Sequence, residues 1–185
     1  MKVIYLGAGG FWTLDAVYSQ VKGVTEVVPG FMGGIVPNPT YEVVATGMTG
    51  HAEVVKITYD DTIVILNDLL AIFYTLHDPA LPIHSGRGVG SQYRPVIFYT
   101  DEETGEAANP QNGSDIGGIQ KFIEQLQGTL PEGVPVPTEI MTATEFYPAD
   151  ESQYNYYQQH AGDGYCISII EPKVTLVKEK FPENF

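Results

Sequence analysis

Short apolar runs alternate with amphipathic stretches along the chain. Lys2 to Leu6 is β-branched and apolar, which predicts a strand broken by Gly7-Ala8-Gly9-Gly10. Phe11 to Lys22 carries apolar residues at 11, 12, 14, 16, 17 and 21, the spacing of a helix closed by Gly23. Val24 to Val28 reads as the next strand, and Pro29 to Thr40, with its glycines and prolines, as a loop. His51 to Tyr59 predicts a strand ending at Asp60-Asp61. Thr62 is placed to cap a helix over Ile63 to Leu76, with Ile65, Leu66, Leu69, Leu70 and Phe73 on one face.

The second half continues the alternation. Asp78 to Gly90 reads as a loop, Pro95 to Thr100 as a strand, and Asp101 to Ser114 as a polar, turn-rich connection. Ile116 to Leu126 has helical spacing, Pro131 to Pro137 is a linker, and Pro137 to Thr142 is a strand. Asp150 to His160 reads as a Tyr- and Gln-rich helix ending at Gly162, followed by a mixed tail. No internal repeat or composition break divides the chain, so the expectation is one domain over residues 1–185 with a C-terminal tail from about 160. Alternating strands and helices predict an α/β or α+β sandwich, and periodicity leaves the strand directions open.

Charge narrows the function classes. Nine Lys and Arg against 23 Asp and Glu give a net charge of −14, which repels phosphate backbones and anionic membrane surfaces. Nucleic acid and membrane are therefore not expected partners. The N-terminus lacks the long apolar core of a signal peptide, and the expected location is cytoplasmic. Cys166 is the one cysteine, so no intrachain disulfide forms, and His51, His77, His84 and His160 show no metal-ligand spacing. Neither a metal nor a cofactor is expected. The oligomeric state stays open.

Several strings carry more information together than alone. They are Gly9-Gly10-Phe11-Trp12, Asn38-Pro39-Thr40-Tyr41, Gly47-Met48-Thr49-Gly50-His51-Ala52-Glu53 and His77-Asp78-Pro79. Gly90-Ser91-Gln92-Tyr93-Arg94, Phe146-Tyr147-Pro148-Ala149 and Gly164-Tyr165-Cys166 follow. In this order they resemble peptide methionine sulfoxide reductase A over most of the chain. The resemblance implies an α+β fold, a two-layer sandwich with a βαβ core and a mixed sheet. It also implies reduction of methionine S-sulfoxide by a cysteine that opens the first helix, where the helix dipole and free N–H groups favour a thiolate.

Carried over by position, Phe11 and Trp12 stand where that family has an aromatic slot for the S-methyl group. Glu53 stands at the proton donor, and Tyr41 and Tyr93 at the hydroxyl donors. Cys166 stands at a tail cysteine that resolves the sulfenic acid in some members. Gly10 occupies the place of the nucleophile, and glycine has no sulfur to oxidise. Gly88 stands at the family's active-site Asp with Arg87 beside it, and Gln153 falls where His is usual.

These departures lie in one pocket and predict a rebuilt site. The expected substrate is a small molecule or a peptide side chain. Gly10, Phe11, Trp12, Arg87 and Gly88 would bind it, with Arg87 pairing an anionic group near the helix start. Glu53, Tyr41 and Tyr93 would act by acid/base chemistry. Alternatives are a pseudoenzyme that binds a sulfoxide-like or anionic ligand, a residual reductase, and Cys166 acting as the nucleophile. Taken in isolation, Glu53 at a strand start would be solvated, and Tyr154, Tyr156 and Tyr157 either line a ligand face or cover the core, the second being expected.

Overall fold

The computed structural model describes residues 1–80, 90–100 and 116–185. A six-stranded sheet carries the fold: β1 (Lys2–Gly7), β2 (Val24–Met32), β3 (Ala52–Tyr59), β4 (Val96–Tyr99), β5 (Glu139–Thr142) and β6 (Tyr147–Pro148). Their order is β5-β4-β1-β3-β2-β6. Among the described residues only β4 and β5 pair in parallel; the other neighbours are antiparallel. The helices are α1 (Phe11–Tyr18), α2 (Tyr41–Ala45), α3 (Leu66–Phe73), α4 (Ile116–Gln127), α5 (Tyr156–Gln159) and α6 (Glu171–Lys180). β1 and β2 run the same way with β3 between them, so β1-α1-β2 is a split βαβ unit. The result is an α+β fold with a mixed sheet.

Period-two alternation sorts the strands into two faces. Ile4, Leu6, Val55, Ile57, Tyr59, Ile97 and Tyr99 face the main core, where they meet Phe11, Leu14, Val17, Tyr18, Leu69, Leu70 and Val177. Tyr5, Val54, Val96 and Phe98 face a smaller cluster on the other side, with Phe146 against it. Each large side chain fully buried this way contributes about 1.5–3 kcal/mol. The Tyr18 hydroxyl donates to the Leu69 carbonyl at 2.8 Å and ties α1 to α3.

Several boundaries differ from the sequence expectation. α1 stops at Tyr18, because Gln20 and Val21 bond to carbonyls three residues back and Gly23 turns the chain at φ 89°. β2 does not end at Val28 but continues through Pro29 to Met32. The Pro29 carbonyl accepts from the Ala149 N–H, on the β6 side of β2. In extended backbone the N–H would point the same way, so the ring costs no bond to β3. Gly30 admits the Phe146 ring, which a Cβ there would meet at 2.5 Å.

Thr62 does not cap α3. It donates backbone and hydroxyl hydrogens to Asp60 Oδ1 in a turn, and the helix starts at Leu66 after Ile65. The helix expected over 150–160 is broken. A 3-10 turn at Glu151–Gln153 and the four-residue α5 flank Asn155, which sits at φ 50°. The tail beyond it is ordered: a π-type turn at Cys166–Ile170 leads into α6, which buries Val174 and Val177 and packs on α1. Most of the 78–90 loop and the whole 101–114 connection lie outside the described residues. No helix among the described residues is long and apolar enough to cross a membrane.

Candidate functional site at the mouth of α1

Three elements converge where β1 hands over to α1. Gly9, at φ 72°, donates its N–H to the Tyr93 carbonyl at 3.1 Å, which draws the 90–94 turn against the start of the helix. Gly10 is the helix N-cap at φ −74°, ψ 140°, and supplies no side-chain cap. Thr40 caps α2 by accepting from the Val43 N–H, and this sets Tyr41 beside the mouth. The Tyr41 ring lies 6.1 Å from Phe11 and 6.2 Å from Trp12, nearly parallel to the indole.

Glu53 is 2% exposed on β3, against the expectation for a strand-start acid read in isolation. It accepts a long hydrogen bond, 3.4 Å, from the Phe11 N–H at the first turn of α1. Burial pushes its carboxyl up to about 7, with the Phe11 N–H pulling the other way. At neutral pH such a group is poised to hold or release a proton.

The aromatic pair divides its work. Phe11 is wholly buried, with its ring 5.7 Å from Phe31. Trp12 is the half-buried member. Its indole N–H donates to Gln153 Oε1 at 2.9 Å, and its face stacks on Tyr156 at 3.6 Å between centroids. His160 stacks on the far end of this series, 4.0 Å from Tyr156. Tyr156 therefore stacks beside the α1 mouth as well as packing against the core. The sequence held a signal for it: a tyrosine shortly after the Phe-Tyr-Pro-Ala string, three residues beyond Gln153.

At Gly10 a Cβ would meet only the Tyr165 hydroxyl, at 3.8 Å. Tyr165 precedes Cys166, whose side chain is buried in the main core and whose thiol is pushed up by burial and by Asp163. A thiol held neutral in this way is a weak nucleophile. Arg87 and Gly88 lie outside the described residues. Among the described residues no three His, Cys, Asp or Glu gather to hold a metal. His51, from the Gly47–Glu53 string, is buried. It accepts from the Gly34 N–H through Nδ1 at 2.9 Å and bonds the Val36 carbonyl through Nε2 at 2.7 Å, so it fixes the 33–36 loop.

The whole chain is similar to several known proteins. A protein of Sulfolobus acidocaldarius named peptide methionine sulfoxide reductase MsrA is 42% identical over 184 residues, covering 100% of this chain and 97% of that one. A protein of the same name from Nautilia profundicola is 45% identical over 174 residues, covering 94% and 92%. Among solved structures, methionine sulfoxide reductase A of Corynebacterium diphtheriae superposes with a TM-score of 0.70 at 28% identity, over 86% of this chain and 75% of that one. Mxr1 of Saccharomyces cerevisiae in its reduced form gives 0.73 at 25% identity, over 89% and 88%. The sequence profile for peptide methionine sulfoxide reductase matches residues 2–185. By fold and by sequence, the chain belongs to the peptide methionine sulfoxide reductase family.

Proposed function

We infer that the mouth of α1 binds a methyl sulfoxide group, carried by a peptide side chain or a small molecule, with protonated Glu53 donating a hydrogen bond to its oxygen and no thiol of its own at position 10. The observation that carries this reading is the Glu53 carboxyl, buried and held near 7 at the first N–H of α1. A neutral acceptor oxygen is favoured over a carboxylate ligand. The Phe11 N–H already serves a carboxyl, and a second anion there would face Glu53 unless Glu53 were protonated. Tyr41 and Tyr93 border the same mouth and are the candidate hydroxyl donors. Trp12 and Tyr156 supply an apolar face for the methyl group. This is recognition of the family's kind of ligand: with no thiol at position 10 to supply electrons, the S–O bond stays intact.

Calorimetry with matched peptides containing methionine, its S-sulfoxide or glutamate tests the reading. The sulfoxide peptide should bind best, and Glu53→Gln should weaken it by about tenfold, since an amide N–H replaces the protonated carboxyl O–H as the donor. Equal binding of methionine and its sulfoxide removes the reading. An assay with dithiothreitol separates it from a residual reductase: turnover should stay at the level of buffer alone.

A further inference from the structure

Two glycines and one amide meet beside the mouth of α1. Gln92, the middle residue of the Ser91–Tyr93 turn, is 5% exposed. Its Nε2 donates to the Ala45 carbonyl at 3.3 Å, at the end of α2. The last carbonyls of a helix have no intrahelical donor, so this amide supplies one from outside. A Cβ on Gly90 would collide with the same amide, and one on Gly47 would stand 3.2 Å from its Oε1. The Gln92 amide thus fills space that two side chains would otherwise take.

Packing alone does not call for glutamine there. Its Oε1 is buried and has no hydrogen-bond donor among the described residues. An unmet buried acceptor costs stability, and methionine would fill a similar volume without that cost. What glutamine adds is one hydrogen bond, and that bond joins two parts of the site. Tyr41 begins α2 and Ala45 ends it, about 6 Å apart along one short helix. Tyr93 directly follows Gln92, and its carbonyl accepts from the Gly9 N–H at 3.1 Å. The Ser91 hydroxyl adds an exposed bond to the Gly47 carbonyl at 3.3 Å, so the buried amide is the inner of two straps.

We propose that Gln92 is a positioning residue for the α1 mouth: its amide holds the end of α2 against the 91–93 turn and so sets Tyr41 and Tyr93 relative to each other. It rests on the reading of the mouth as the sulfoxide site, in which the two tyrosines are the hydroxyl donors. Gln92 touches no ligand. It acts through the elements that carry the tyrosines, and discrimination of sulfoxide from thioether depends on where those hydroxyls stand.

The test compares the parent chain with Gln92→Met and Gly90→Ala, using matched peptides that contain methionine or its S-sulfoxide. Gly90 has a φ of −155°, which alanine adopts freely, so its methyl group displaces the amide without removing it. Calorimetry should show the preference for sulfoxide over methionine falling about tenfold in both variants. The methionine peptide should bind as it does to the parent, because the Trp12 face is untouched. The urea midpoint of Gln92→Met should stay at the parent value, since the lost bond and the relieved Oε1 offset each other. Exchange of the Gly9 amide hydrogen, followed by NMR, should speed up about tenfold, because its acceptor rides on the loosened turn.

An unchanged sulfoxide preference in Gln92→Met overturns the assignment. So does a lower urea midpoint with both peptides weakened alike, which is what a purely structural residue would give. Should Gln92→Met not fold, the binding and exchange criteria apply to Gly90→Ala. If the parent itself binds both peptides equally, the sulfoxide reading falls and Gly9 exchange alone decides. Faster exchange in the variants then upholds Gln92 as the brace of the turn, and unchanged exchange overturns that as well.

Discussion

Gly10 and Gly30 are both bare backbone, but the molecule asks different things of them. Gly30 sits on β2 under the Phe146 ring, and a Cβ would lie 2.5 Å from two ring carbons and from the Tyr147 carbonyl oxygen. The sheet edge with β6 requires its absence. Gly10 has an ordinary φ of −74° and only the Tyr165 hydroxyl at 3.8 Å from a built Cβ. Neither conformation nor space demands glycine at the mouth of α1. One glycine is explained by packing; the other is not.

The sharpest way to break this contrast is Gly10→Cys. A thiol there would stand at the helix N-cap, beside Glu53 and the Trp12 face, with room for its Cβ. Reduction of a methionine sulfoxide peptide by dithiothreitol should rise from background by several orders of magnitude, since an intrinsic nucleophile replaces none. Activity that stays at background would mean the rest of the site has lost its competence. Adding Glu53→Gln to the Gly10→Cys chain should then cost roughly 10²–10⁴-fold in rate, the usual worth of a general acid.

The same Glu53→Gln change reads out the strain of the site. The folded pKa of Glu53 is raised from 4.5 to about 7, so its stabilising contribution is complete below pH 4.5 and is lost as pH rises through 7. In the parent chain thermal or urea unfolding should show Glu53→Gln gaining stability as pH rises from 4.5 to 8, by up to about 3 kcal/mol. A flat difference across that range would place the carboxyl in contact with water. Gly30→Ala comes next: it should destabilise by about 1–3 kcal/mol through overpacking against Phe146, measured by urea midpoint.

The sheet was legible because its strands alternate β-branched and aromatic residues across two buried faces, as Ile4-Tyr5-Leu6 and Val54-Val55 do. What stayed hidden was set by contacts distant in sequence. Pro29-Gly30 carries the local signature of a loop, yet pairing with β3 and β6 makes it strand. β6 is two residues long and has no period to read. α6 buries only Val174 and Val177, too few for an apolar stripe, although Glu171-Pro172 at its start and Lys178 and Lys180 at its end are ordinary helix punctuation. In the site, the aromatic and acidic residues were legible through the family's strings. The stacking of Tyr156 on Trp12 and the clasp of Asn155 on Asp15 depend on how the tail returns to α1, which no local pattern encodes. A lone acid inside the otherwise uncharged Phe11–Tyr18 helix was the one available hint of that return.

The smallest effect decides most about Gly10. Gly10→Ala adds a methyl group where only the Tyr165 hydroxyl is near, at ordinary contact distance. Glycine is acceptable at an N-cap and alanine somewhat worse, while alanine lowers the entropy of the unfolded chain. The two terms oppose, and the net change in unfolding free energy should stay within about 0.5 kcal/mol. A loss on the scale of Gly30→Ala would show that the mouth of α1 is as tightly packed as the β2 edge. The glycine would then be structural, and the contrast between the two positions would collapse. A near-zero change, with ligand binding altered, would leave the function of the open mouth as the remaining reason for a residue without a side chain.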